Sequence, residues 1–186
     1  MSRFDFIATP LAGLIVVQRK PIEDERGFFT RFYCAEEFAN VGWTKPIAQM
    51  NHTLTCRRGT VRGLHFQYAP HAEAKLVSCL KGEIFDVAVD LRPDASTYLR
   101  WHGEILSADN RRSLLIPEGF AHGYQTLTDD CELFYLHSSP YRADAEGGLN
   151  VNDPKLGIAW PSAIGYLSER DRSHPMLTSD PEESRP

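Results

Sequence analysis

Short runs of apolar residues, or of alternating apolar and polar residues, dominate the first three quarters of the chain. Turn sequences such as Lys81-Gly82 separate these runs. One helix is predicted over residues 35–40, because Gly42 follows as a stop signal. Many short strands with almost no helix between them are typical of an all-β antiparallel sandwich or barrel. The predicted strands are residues 14–20, 47–55, 60–67, 75–80, 83–91, 101–106, 113–116, 124–127 and 133–137.

From about Arg142 onward, the last quarter of the chain no longer shows the strand-like patterns of the earlier part. Prolines at positions 154, 161 and 175 interrupt it, which predicts a largely irregular segment that wraps over the barrel. Residues 179–186 are polar and contain prolines, so we expect a flexible tail there. The rest of the chain, residues 1–178, is expected to form a single domain.

Composition narrows the possible classes of protein. The chain has 186 residues, 42% of them hydrophobic and 24% charged, as in an ordinary globular domain. The net charge of −5 gives the protein no overall positive potential for binding along nucleic acid or an anionic membrane. No apolar run approaches the roughly 18 residues of a membrane span, and the N-terminus lacks a signal-peptide pattern. Four widely spaced cysteines without a C-x-x-C pair predict reduced thiols in a cytoplasmic protein.

The segment from Arg62 to Gln67 is the first that could carry chemistry. A histidine beside an arginine could act as a general base near a bound phosphate, although most lone histidines are core or surface residues. Simple alternation places Arg62 and His65 on opposite faces of a strand. A β-bulge at Gly63 would bring both to one pocket.

Two charged residues lie on predicted strands among apolar neighbours. Lys75 shares a face with Val77, so inside a barrel it would need a ligand or a carboxylate partner; a strand-end lysine reaching solvent fits the sequence equally well. Asp86 lies between Ile84 and Ala88 on one face, which suggests a pocket-lining strand. An exposed acid on a sheet face is the commoner arrangement.

The segment from Ile116 to Gly123 is punctuated by proline and glycine and delivers His122 to the start of a strand. It resembles the second metal-ligand motif of cupin barrels. The first motif would supply His-x-His and a glutamate, but here only His65 is present. A catalytic transition metal needs two or three well-placed ligands, so we predict a metal-free barrel.

Two further residues could serve proton transfer. Tyr135 shares a strand face with Leu133 and His137, and its hydroxyl could donate a proton if local cations lower its pKa. Aromatic packing is the commoner role for such a residue. Asp171 is a surface acid unless the C-terminal segment docks it near a histidine.

Together and in this order, several motifs resemble the dTDP-4-dehydrorhamnose 3,5-epimerase family of nucleotide-sugar epimerases. The resemblance extends from Asp24 to Asp171. The most specific parts are the hexapeptide Arg62-Gly63-Leu64-His65-Phe66-Gln67 and the segment from Ile116 to Gly123. The other matching segments are residues 24–29, 49 with 51–52, 75–77, 82–90, 106–108, 152–154, 157–161 and 168–171.

The resemblance implies a cupin-type jelly-roll barrel with a few short helices, assembled as a homodimer and needing no metal. It implies His65 as the base, oriented by Asp171, and Tyr135 as the acid on the opposite side of the sugar. Lys75 is our candidate for stabilising the enolate oxygen. No cofactor is required, because the substrate's own ketone acidifies the carbon. The implied substrate contacts are Arg26, Gln49, Asn51, Arg62, Lys75, His122, Tyr141, Glu146 and Arg170.

The reaction implied is inversion at C3, C5 or both of a 4-keto-6-deoxy nucleotide sugar. The first expectation is conversion of dTDP-4-dehydro-6-deoxy-D-glucose to dTDP-4-dehydro-L-rhamnose. An enzyme that inverts only C3 or only C5 of a dTDP- or CDP-linked 4-ketosugar is an alternative. A second alternative, from another class, is a non-catalytic or metal-dependent sugar-binding cupin.

Five positions depart from the family pattern. Thr30-Arg31 stands where a Phe-Glu pair is expected, Met50 where aspartate is common, and Leu136 and Arg170 where lysine is common. An arginine can donate hydrogen bonds but cannot accept them. If Arg31 reaches the nucleobase of the substrate, it would suit the bare N3 of cytosine better than the N3–H of thymine. The preference for thymine would then relax.

Overall fold

A computed structural model of the protein describes residues 2–177, and the predicted tail over residues 179–186 lies outside this range. Within these residues the strands are β1 (Phe4–Ala8), β2 (Ile15–Arg19), β3 (Ile22–Asp24), β4 (Gly27–Phe29), β5 (Gln49–Thr55), β6 (Val61–Gln67), β7 (Lys75–Lys81), β8 (Glu83–Asp90), β9 (Trp101–Ser107), β10 (Arg112–Ile116), β11 (Phe120–Thr126), β12 (Cys131–His137) and β13 (Glu146–Gly148). The α-helices are α1 (Ala35–Ala39) and α2 (Glu169–Arg172), and a 3₁₀ helix is formed by Ala143–Ala145.

The nine predicted strands all form, and eight of them end within two residues of the predicted bounds. The exception is β11, which begins at Phe120 rather than at residue 124. Gly119, with φ +83°, closes the preceding turn, and Phe120 pairs at once with Asp90 of β8. His122 therefore lies inside a strand and not at its start, which corrects the expectation from sequence.

Four strands were absent from the sequence prediction. β1 pairs with β2 at the edge of a sheet. β3 and β4 form an exposed hairpin of three residues each, too short for an alternating pattern to be visible. β13 has the sequence Glu-Gly-Gly, without an apolar side chain, and is a strand only because it pairs with the edge of β6.

Two antiparallel sheets form the jelly-roll barrel. The six-stranded sheet has the order β1-β2-β10-β7-β12-β5, and the five-stranded sheet has the order β13-β6-β11-β8-β9. Their inner faces share one core, in which Val77, Leu114 and Leu133 of the first sheet pack with Ile84 and Tyr124 of the second. Burying these side chains supplies the main stabilisation, at about 25 cal/mol per Å² of apolar surface.

The outer face of the five-stranded sheet is covered by the C-terminal segment, residues 149–177, in agreement with the predicted wrap. Leu149, Val151 and Leu156 pack on a strip of buried residues that includes Leu64 and Val89. Asn150 ties the segment together, because its side-chain amide donates to the carbonyl groups of Arg172 and His174, both at 3.1 Å. This covering places α2 beside β6.

The outer face of the six-stranded sheet is only partly covered. Phe38 of α1 and the nearby Trp43 pack on Leu76 and Leu136. β5 lies at the edge of this sheet, where Met50 and Leu54 are exposed. Within residues 2–177, no helix has the length and apolar character that crossing a membrane would require.

Candidate active site

A close approach of two glycines shapes the strand that carries the site. The register between β6 and β11 shifts where Gly63 meets Gly123. Gly63 has φ +129°, and a Cβ added to it would lie 2.6 Å from the Cα of Gly123. Only glycine fits there. The irregularity brings Arg62 and His65 to the same cavity, as the bulge hypothesis predicts.

Two adjoining cavities share Arg62 and His65. The smaller has a volume of about 220 Å³ and the larger about 590 Å³. The larger is bounded by β6 and the C-terminal segment, including Tyr166, Arg170 and Asp171. The smaller is lined by Asn51, Thr53, Arg62, His65, Lys75, His122, Tyr124, Tyr135 and His137.

His65 and Asp171 are in contact between these cavities. His65 Nε2 lies 2.8 Å from Asp171 Oδ1, and the backbone N–H of Gly63 donates to Asp171 Oδ2 at 3.3 Å. Burial disfavours the Asp171 charge, but the hydrogen bond and charge of His65 outweigh it and hold the carboxyl pKa below its usual value. The ionised carboxylate accepts a hydrogen bond from the Nε2–H group of His65. The other ring nitrogen, Nδ1, is left with a lone pair.

A second histidine–aspartate pair lies deeper in the barrel. His122 Nε2 is 2.7 Å from Asp86 Oδ1. Asp86 is fully buried, so the exposed arrangement weighed from sequence is wrong. Burial raises its pKa, against the opposing effects of His122 and Lys75.

Tyr135 lies beside this pair, with its ring centroid 6.2 Å from that of His122. Burial, and then the neighbouring Tyr124 and Asp86, raise its pKa well above the ordinary value. The expectation that local cations lower this pKa is therefore wrong. The hydroxyl therefore stays protonated near neutral pH.

Lys75 is a buried cation with a carboxylate partner. Its Nζ lies 3.1 Å from Glu73 Oε1, and the two side chains are 9% and 10% exposed. Burial opposes the Glu73 charge, but the hydrogen bond from His137 and the charge of Lys75 overcome it and lower the pKa of Glu73. The solvent-reaching alternative for Lys75 is wrong, and the lysine delivers positive charge to the smaller cavity.

Most of the residues expected to contact substrate lie in or beside the two cavities. Asn51, Arg62 and His122 line the smaller cavity, and Arg170 lines the larger. Arg170 is paired with Glu146, which also accepts a hydrogen bond from the Tyr141 hydroxyl at 2.9 Å. Gln49 lies beside Asn51, with its Nε2 3.2 Å from Asn51 Oδ1.

Two arginines lie apart from both cavities. Arg26 is in the turn between β3 and β4, where its side chain is 85% exposed and bound to Asp24. Arg31 pairs with Glu37 of α1 at 3.6 Å and lines neither cavity. The hypothesis that Arg31 relaxes the preference for thymine stays a prediction.

One group within residues 2–177 has the donor atoms for a metal ion: His65, Asp171 and His174, all within 4.8 Å of one another. Two of these already share the 2.8 Å hydrogen bond. The absence of a metal requirement stays a prediction.

Sequence reasoning missed Glu73 and gave no role to His137. His137 was placed on the face of Tyr135, and its ring is stacked on Tyr135 at 6.0 Å. Glu73 precedes β7 in a loop and meets His137 from a different strand, so no local pattern marked it.

A histidine with an ionised aspartate partner, a buried lysine and a protonated tyrosine around one cavity are suited to moving protons at a carbon beside a carbonyl. The chain is an isomerase.

Residues 8–179 match the family model described as dTDP-4-dehydrorhamnose 3,5-epimerase, and the chain belongs to that family. It is 41% identical over 173 residues to the dTDP-4-dehydrorhamnose 3,5-epimerase of Salmonella typhimurium, covering 92% of this chain and 94% of the relative. The crystal structure of the Bacillus anthracis enzyme with TDP and PPi bound aligns with a TM-score of 0.90 and 41% identity, over 94% of this chain and 99% of that one. The Legionella pneumophila enzyme in complex with dTDP-4-keto-L-rhamnose aligns with a TM-score of 0.88 and 36% identity, over 93% and 92%.

Proposed function

We propose that the protein inverts both C3 and C5 of dTDP-4-dehydro-6-deoxy-D-glucose and produces dTDP-4-dehydro-L-rhamnose. The observation that carries the proposal is the His65–Asp171 pair, 2.8 Å apart, at the edge of a cavity that also contains Lys75 and Tyr135. The Legionella relative binds a dTDP-4-keto sugar, which supports the same substrate class here.

His65 acts as the general base. A C–H bond beside the C4 ketone is weakly acidic, and Nδ1 of His65 carries the lone pair that can remove its proton. The ring becomes positively charged, and the adjacent Asp171 carboxylate stabilises that charge and keeps the ring oriented. A positioned base of this kind contributes about 100-fold or more to the rate.

Lys75 stabilises the enolate. As the proton leaves, negative charge develops on the C4 oxygen, and the cavity offers the buried Lys75 ammonium to stabilise it. Glu73 fixes the position of that ammonium before the reaction, so little reorganisation is needed as charge appears.

Tyr135 reprotonates the carbon from the side opposite His65. Inversion requires a second donor, and the protonated, buried hydroxyl of Tyr135 meets that need. Its raised pKa makes a free tyrosinate costly, so the proton moves only as the enolate carbon takes it up. Before the second carbon reacts, His65 releases its proton to solvent and Tyr135 takes up a proton from solvent, which restores both groups.

Arg62 and Arg170 bind the diphosphate. Both carry the planar guanidinium that can grip phosphate oxygens with paired hydrogen bonds. Arg62 borders both cavities and Arg170 borders the larger one, so a diphosphate in the larger cavity would lie beside both groups.

The functional unit we propose is a homodimer in the cytoplasm. The β3–β4 hairpin exposes Ile22, Phe28 and Phe29, and the edge strand β5 exposes Met50 and Leu54. Apolar side chains on a hairpin and a sheet edge favour burial against a second copy. Four free cysteines suit a reducing compartment. Sedimentation at micromolar concentration tests the dimer, and a monomer there contradicts it.

Incubation with dTDP-4-keto-6-deoxyglucose in deuterated water tests the reaction. NMR is expected to show deuterium at both C3 and C5 and a product with both centres inverted. Exchange at one carbon alone would reduce the function to a monoepimerase. No exchange, together with stoichiometric iron or zinc in the purified protein, would favour a metal-dependent cupin instead.

A further inference from the structure

We infer that His137, anchored by Glu73, is a positioning residue that fixes which way the side-chain amides of Asn51 and Gln49 face at the substrate cavity. The effect on ligand binding rests on the proposed function. The orientation itself does not, and it can be measured in the free protein.

The first step is the tautomer of His137. Its Nδ1 lies 2.8 Å from Glu73 Oε2, while the other carboxylate oxygen is held 3.1 Å from Lys75 Nζ. Both His137 and Glu73 side chains are 10% exposed, so water does not replace these contacts. Lys75 and His137 keep the Glu73 carboxylate ionised, so this carboxylate can only accept hydrogen bonds. His137 Nδ1 must therefore carry the proton.

The second step is the orientation of Asn51. The other ring nitrogen, His137 Nε2, lies 3.2 Å from Asn51 Nδ2. An amide nitrogen can only donate, so His137 Nε2 accepts from it through a lone pair, as a ring that carries its proton at Nδ1 allows. The carbonyl oxygen of Asn51 is turned away and accepts from Gln49 Nε2 at 3.2 Å.

The third step is the other end of this chain of hydrogen bonds, at Gln49. Gln49 Oε1 accepts from the backbone N–H of Tyr141 at 3.0 Å. A backbone N–H can only donate, just as the carboxylate at the other end can only accept. The four hydrogen bonds therefore all run in one direction, from Tyr141 through Gln49, Asn51 and His137 to Glu73, and neither amide can flip alone without placing two donors or two acceptors together.

The strand register explains why these groups meet. β5 and β12 pair so that His137 is opposite Gln49 and Tyr135 is opposite Asn51. Residues 135 and 137 share a face, which directs the His137 ring across to the Asn51 side chain. Glu73 arrives from the loop before β7, whose first residue, Lys75, pairs with His137 on its other side.

The consequence concerns what the cavity can recognise. Asn51 lines the smaller cavity, and one of its two N–H groups is left unused by this series. The site therefore offers a hydrogen-bond donor at Asn51, which selects an acceptor oxygen of the nucleotide sugar: a hydroxyl, carbonyl or phosphate oxygen. A reversed Asn51 would turn its carbonyl toward that oxygen and repel it.

A double-mutant cycle tests the effect on binding, with dTDP-glucose as a ligand that lacks the reactive ketone. We expect His137→Phe and Asn51→Ala each to weaken binding about fivefold, as for one hydrogen bond, and the double variant to bind no more weakly than Asn51→Ala. His52→Phe is the matched control, because His52 pairs with Glu132 at 3.1 Å on the outer face of the same two strands and is 55% exposed. It should bind like the unmodified protein. Multiplied losses in the double variant, or full binding by His137→Phe, would overturn the inference.

The ring tautomer gives a test that does not depend on ligand or turnover. In protein labelled with ¹⁵N-histidine, NMR should show His137 neutral and protonated at Nδ1, and Glu73→Gln should mix the two tautomers. The signal is assigned by its loss in His137→Phe or, if that variant does not fold, through backbone correlations. A proton on Nε2 of His137 in the unmodified protein would overturn the orientation, whether or not the protein converts the proposed substrate.

Discussion

His65 and Asp171 lie 106 positions apart in the chain, yet their side chains meet at 2.8 Å. The histidine belongs to the barrel strand β6, and the aspartate to α2 of the covering segment. The capping bond from the Asp171 N–H to Ser168 Oγ, at 3.0 Å, starts that helix and sets the position of the carboxylate. The proposed base and its partner therefore come from two different layers of the fold.

Replacing the base tests its role directly. His65→Ala should keep the fold and lower kcat by at least about 100-fold, because a positioned general base contributes that much. His52→Ala, a surface histidine on the outer face, is the control and should retain full turnover. Near-normal activity of His65→Ala would assign the base to another residue.

Tyr135→Phe should separate the two halves of the reaction. The ring and its packing remain, so stability should change little. His65 and Lys75 still allow proton removal, so substrate protons should exchange with solvent while much less inverted product forms. Deuterium uptake and product configuration, followed by NMR in one tube, measure the ratio. A ratio equal to that of the unmodified protein would show that the hydroxyl serves packing alone.

Asp90 is expected to be a major contributor to stability outside the site. Its Oδ1 accepts from Arg92 Nε at 2.8 Å, and its Oδ2 accepts from Arg92 and from the Thr97 hydroxyl at 2.6 Å. Asp90→Asn places an amide N–H against these donors and should cost about 1–3 kcal/mol of unfolding free energy. Urea denaturation measures the loss. Asp144→Asn, in an exposed aspartate–arginine pair, should show no measurable change.

Acid should unfold the protein partly through the same carboxylate. Burial disfavours the Asp90 charge, but the hydrogen bonds from Arg92 and Thr97 outweigh it and lower its pKa. A depressed pKa gives stability that is present above the ordinary aspartate value of about 3.9 and is lost as the pH falls through the folded value. The stability difference between the unmodified protein and Asp90→Asn should therefore narrow with acidification. A difference that stays constant down to about pH 2, well below the ordinary value, would contradict this linkage.

The cysteines should differ sharply in reactivity. Burial, and then the neighbouring Cys131, raise the pKa of Cys79 to about 12, so almost no thiolate forms near neutral pH. Cys56 is exposed. Iodoacetamide should modify Cys56 in the folded protein and reach Cys79 and Cys131 only after unfolding. Peptide mass spectrometry reads the pattern, with Cys56→Ser as the control, and rapid labelling of Cys79 in folded protein would refute it.

The sequence predicts the barrel well because its strands carry local patterns. The bulge could also be predicted, because a glycine inside a strand weakens it and Gly63 stands between two residues that both suit one pocket. Contacts between distant elements were not visible. Nothing near Glu73 in the sequence indicates that it bridges Lys75 and His137, and the pKa of Tyr135 depends on burial that only the packed barrel creates.

We expect the covering segment to detach on heating before the barrel unfolds. Residues 149–177 consist mostly of irregular chain laid on the outside of a sheet, and such regions open at lower free energy than the strands beneath them. Such an opening would take Asp171 away from His65 while the barrel remains folded. On heating, turnover should therefore fall before the sheets melt, and the temperature at which activity ceases should report the detachment of this segment rather than global unfolding.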